Sequence, residues 1–106
     1  MMLTGKAKEM FEGWYLKLPN AMGLNYGAFD ITMNRFYCLP ESMQWGIYQD
    51  WADHIGYHMH VSKGIENDKF FWNINFKYGF EAGKYSLRQE ARDAAIAKLN
   101  EIINEK

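Results

Sequence analysis

The 106-residue chain predicts an α+β two-layer sandwich, with a small antiparallel sheet of two to four strands and three helices in the order α-(β)-α-β-β-β-α. Three observations predict it. Apolar residues recur with helical spacing near both ends of the chain, the period drops to two directly after Gly56, and Ser86 with Gln89 makes a capping-box pattern ahead of the last helical stretch. With 48% apolar and 17% aromatic residues, residues 1–106 can bury one core as a single domain.

Thr4 is placed to cap a first helix, in which Ala7, Met10, Phe11, Trp14 and Leu18 form the apolar stripe and Pro19 ends the pattern. Residues 19–38 are rich in asparagine and glycine, and read as an ordered loop with a short edge strand at 28–32. Pro40 or Ser42 opens the second helix, whose stripe is Met43, Ile47, Tyr48, Trp51, Ala52 and Ile55, with Gly56 as its natural terminator. Tyr57, Met59 and Val61 then alternate with His58, His60 and Ser62, the mark of a strand with one buried face.

A polar connector at 63–69 suits a hairpin loop. Beyond it Phe70, Trp72, Ile74 and Phe76 alternate with Phe71, Asn73, Asn75 and Lys77, and residues 78–85 hold a third strand broken by glycines. The final helix buries Leu87, Ala91, Ala94, Ala95, Leu99, Ile102 and Ile103.

Twelve basic against thirteen acidic residues give a net charge of -1, so no global field attracts a phosphate backbone, and direct nucleic-acid binding is not expected. An α-β-β-β-α order is shared with double-stranded-RNA-binding domains, but the basic loop and basic helix start they use are absent. A single cysteine, Cys38, excludes an internal disulfide framework and fits a reducing compartment, and it reads as a half-buried structural thiol. No uncharged run is long enough for a membrane span, which makes the cytoplasm the expected location.

No nucleophile elbow, phosphate-binding loop or dinucleotide fingerprint is present, so a non-enzymatic role without a cofactor is expected. His58 and His60 leave one strand face near His54, Asp50 and Asp53, but no established metal-ligand spacing supports a metal site. Glu41, Asp50 and Asp53 lie along the second helix, with no lysine or arginine between Glu41 and Ser62. Tyr26, Phe29, Phe36, Tyr37, Trp45 and Phe71 fall outside the predicted core stripes and are candidates for an aromatic contact surface. With Asp50, Asp53, His58 and His60 they make the expected binding residues.

The runs LPESMQWGIYQDWADHIGYHMHV and KYSLRQEARDAAIAKLNEII, with TGKAKEMFEGWY near the start, resemble a group of short, mostly uncharacterised phage and prophage proteins. The resemblance implies an α/β sandwich acting in the cytoplasm of a bacterial host as an accessory or anti-defence (anti-CRISPR-like) inhibitor. A host protein is then the expected partner. The alternative is a homo-oligomer that sequesters a nucleotide signal with Arg88, Arg92, Tyr26 and His60.

Overall fold

The computed structural model describes residues 2–17, 29–64, 68–77 and 79–105. The elements are α1 (Gly5–Leu16), α2 (Phe29–Tyr37), α3 (Glu41–His54), β1 (His58–Lys63), β2 (Phe70–Phe76), β3 (Gly79–Tyr85) and α4 (Arg88–Asn104). The strands form one antiparallel sheet in the order β1-β2-β3, and α4 packs across all three strands while α3 packs on β1. This is the expected α+β class.

One element differs in kind. Residues 29–37, expected as loop and edge strand, form the nine-residue helix α2. Thr32 and Asn34 are weak helix formers, and the helix is short enough that its propensity would not sustain it alone. Packing does. The Phe36 ring lies 5.0 Å from Phe11 and 5.2 Å from Tyr15 between centroids, which anchors α2 to α1.

That extra helix turns the buried faces of its neighbours. In α1 the buried residues are Ala7, Phe11 and Tyr15, while Met10 is 39% exposed and Trp14 only half-buried. In α3 the buried side is Gln44, Trp45, Tyr48, Trp51 and Ala52, while Met43 is 53% exposed. A polar residue sits on the buried side because Gln44 Nε2 donates to the Tyr37 carbonyl at 3.1 Å and the Leu39 carbonyl at 2.9 Å, satisfying acceptors at the end of α2. Phe11 is the hub of this side of the core, with Tyr48 at 4.7 Å and Trp51 at 5.4 Å.

The helix ends also differ from the expected caps. Thr4 occupies the N-cap of α1 without a side-chain cap of its own. Instead α4 supplies the bonds: the Thr4 N–H donates to Asn100 Oδ1 at 2.7 Å, the Ala7 N–H donates to Asn104 Oδ1 at 2.9 Å, and Asn104 Nδ2 donates to the Thr4 carbonyl at 2.9 Å. Gly5, at φ +57°, makes the turn into this clamp. No capping box forms at α4, whose N-cap is Leu87; Ser86 Oγ accepts from Lys69 Nζ at 3.0 Å, and Gln89 turns along the helix to Asp93 at 2.9 Å. Leu87, expected in the stripe, is exposed.

The α3–β1 joint follows expectation. The Tyr57 N–H donates to the Ala52 carbonyl at 2.8 Å and the Gly56 N–H to the Asp53 carbonyl at 3.2 Å, a Schellman closure with Gly56 at φ +92°. The chain leaves α3 at His54 and enters β1 at His58, with three residues between.

Candidate functional site

With α3 and α4 both packed on one side of the sheet, the strand period assigns the other side. Tyr57, Met59, Trp72 and Ile74 are buried toward the helices. On the outer face β1 presents His58, His60 and Ser62, and β2 presents Phe71, Asn73 and Asn75. β3 completes it with Phe80, Ala82 and Lys84.

Register fixes how these side chains meet. Phe71 lies opposite Ser62 and Lys84, Asn73 opposite His60 and Ala82, and Asn75 opposite His58 and Phe80. None of the outward positions is Asp or Glu, in a chain with thirteen of them. Glu81, on β3, points to the helix side, where Lys98 Nζ meets it at 3.5 Å. Lys98 also reaches Glu101, and these two carboxylates raise its pKa above the ordinary lysine value. Between Phe71 and Phe80 the outer face holds a cleft of about 490 Å³, with Asn73, Ala82 and Lys84 in its lining.

A second concavity, of about 410 Å³, lies between α1 and the end of α3, lined by Met10, Trp14, Lys17, Trp51 and His54 among others. Gly13 opens it: a Cβ there would meet nothing within 4 Å. Trp14 and His54 face each other across it with ring centroids 6.2 Å apart. On α3 itself, Glu41, Asp50 and Asp53 are exposed. Asp53 Oδ1 lies 2.9 Å from His58 Nδ1, an exposed pair that joins the acidic helix to the rim of the sheet face.

The residues expected to bind therefore divide. His58, His60 and Phe71 share the outer sheet face, and Asp50 and Asp53 share α3. Phe36 and Trp45 do not reach a surface: both are core side chains, because α2 exists and turns α3 toward it. Tyr37 is half-buried, with its hydroxyl donating to Glu12 Oε2 at 2.8 Å. Tyr26 and the side chain of Phe29 lie outside the described residues. Cys38, expected half-buried, is exposed just after α2.

Of the alternative ligand set, Tyr26 lies outside the described residues. Arg88 lies over the Phe70 ring at 5.1 Å, on the helix side of the sheet, and His60 stands on the other side. Among the described residues no three His, Cys, Asp or Glu side chains converge as a metal site, and no described helix is long and apolar enough to cross a membrane. Phe80 and Lys84 were not singled out by sequence. The signal was present, since Phe80, Ala82 and Lys84 keep the period of two, but Gly79 and Gly83 give the segment the look of a turn.

No protein-family model, curated protein or solved structure matches the chain.

Proposed function

We propose that this is a small accessory protein of the phage type that acts by binding a host protein rather than by catalysis, with the acidic side of α3 meeting basic side chains of the partner. The observation that carries this reading is the pair of exposed carboxylates Asp50 and Asp53 near the end of α3 that lines the α1–α3 groove, where Met10 and half-buried Trp14 offer apolar contact. Charge complementarity would steer the encounter, and the groove would hold one apolar anchor from the partner. Inhibition of a bacterial defence nuclease, whose nucleic-acid channel is basic, is the role that fits both the charge and the phage resemblance.

The test is capture from bacterial lysate by the tagged full chain, followed by titration of the recovered partner at two salt concentrations. Binding should weaken with salt, fall about tenfold or more in the Asp50→Lys, Asp53→Lys double variant, and persist in Phe80→Ala. Recovery of no basic partner, or capture indifferent to the charge reversal, overturns the reading.

A further inference from the structure

We propose that the cleft on the outer face of the sheet is a nucleotide site, in which a base lies over Ala82 between Phe71 and Phe80 and a phosphate meets Lys84. This site lies on the sheet face away from α4 and stands independently of the α3 surface.

The register supplies the geometry. Phe71 and Phe80 stand two outward ranks apart, with Asn73 and Ala82 paired in the rank between them. Four residues along a strand span about 13 Å, room for one ring system with an aromatic at each end. Ala82, with its single methyl, keeps the floor low between them. Phe80 is 61% exposed, whereas the rings of Phe11, Phe36, Phe70, Phe71 and Phe76 are buried or partly buried, so the Phe80 ring is open to stack.

Polar chemistry is arranged around that apolar slot. Asn75 Nδ2 donates to Asn73 Oδ1 at 3.1 Å, which orients the Asn73 amide at the cleft with its own donors left for a base edge. The outward positions of the sheet carry Lys84 and two imidazoles and no carboxylate. Stacking surface, amide donors and a cation without a competing anion match a base bearing a phosphate, and match a basic or purely apolar occupant less well. The weakly negative whole chain is no obstacle to one phosphate, because recognition of a single nucleotide does not need the long-range field that a duplex would.

The same chemistry is offered by a free nucleotide and by an unstacked nucleotide within a single strand, and the experiment separates them. The full chain is titrated with the four nucleoside monophosphates by calorimetry, and with a fluorescein-labelled single-stranded dodecamer by anisotropy. Wild type is compared with Phe80→Ala and Lys84→Glu, both exposed positions, after circular dichroism confirms that each variant is folded. Phe80→Ala should weaken binding about tenfold or more, and Lys84→Glu should weaken it and flatten its salt dependence. Binding of monophosphates with these losses establishes a free-nucleotide site, and binding of the dodecamer alone with these losses establishes a strand site. No binding of either up to roughly millimolar ligand, or binding unchanged in both variants, overturns the proposal. So does a finding that this face instead holds a protein partner and excludes nucleotides.

Discussion

Tyr37 and Tyr48 approach the same carboxylate, Glu12, on different terms. The Tyr37 hydroxyl donates to it at 2.8 Å, whereas the Tyr48 hydroxyl is buried with no partner among the described residues. Tyr37→Phe should therefore cost about 1–2 kcal/mol, while Tyr48→Phe should be neutral or stabilising by up to about 1 kcal/mol, because it deletes a desolvated group and no bond. Urea denaturation followed by circular dichroism separates the two, and a larger loss for Tyr48→Phe would show that its hydroxyl has a partner. The glycines make a similar contrast. A Cβ at Gly83 would fall 2.5 Å from Trp72 Nε1, whereas one at Gly46, in the middle of α3, meets nothing within 4 Å. Gly83→Ala should destabilise by about 1–3 kcal/mol through overpacking, and Gly46→Ala should stabilise by up to about 1 kcal/mol through helix propensity. Equal melting temperatures for the two variants would contradict the close packing of β3 on Trp72.

At the scale of elements, the start of α1 is held by the end of α4. Asn104→Ala removes acceptor and donor contacts to the Ala7 and Thr4 backbone together, and should cost about 1–2 kcal/mol. Hydrogen exchange should quicken first in the opening turn of α1 while β2 keeps its protection; unchanged exchange there would mean that the clamp does not hold the helix. This device was invisible in the sequence, where Thr4 reads as a self-sufficient cap and the asparagines read as a solvated helix end. The strands were legible because a period of two is decided locally, each residue on β1 and β2 facing in or out by its place in the alternation. The helix faces were legible only to within one position. A stripe built from Met10 and Trp14, or from Met43 and Ile47, is as apolar as the true one, and the choice belongs to α2, whose own sequence gives it little independent reason to be a helix. Missing α2 put Phe36 and Trp45 on the surface, and that one error accounts for both misplaced candidates.

For the whole molecule, the buried phenols set an alkaline limit. Burial raises the pKa of Tyr15, Tyr37 and Tyr48, with Glu12 adding to the last two, and neighbouring carboxylates raise Lys98. Above the ordinary tyrosine pKa of about 10 the unfolded chain releases protons that the folded chain still holds. Stability from these groups is therefore complete below about pH 10 and is lost as pH rises through that value toward the folded pKa values. A melting temperature that is level from neutral to mildly alkaline pH and then falls steeply is expected, with a smaller fall in Tyr48→Phe; a level profile through pH 11 would mean that the phenols are open to water.

The one-sided packing of helices on the sheet also has an optical consequence. Trp45, Trp51 and Trp72 are buried, and Trp14 is the one indole of the four that keeps contact with water, at the lip of the α1–α3 groove. A neutral collisional quencher should accordingly reach a minor, red-shifted fraction of the emission and leave the rest untouched. The protein carries its own reporter: an occupant of the groove would shield that fraction, and an occupant of the outer sheet face would leave it as bright and as quenchable as before.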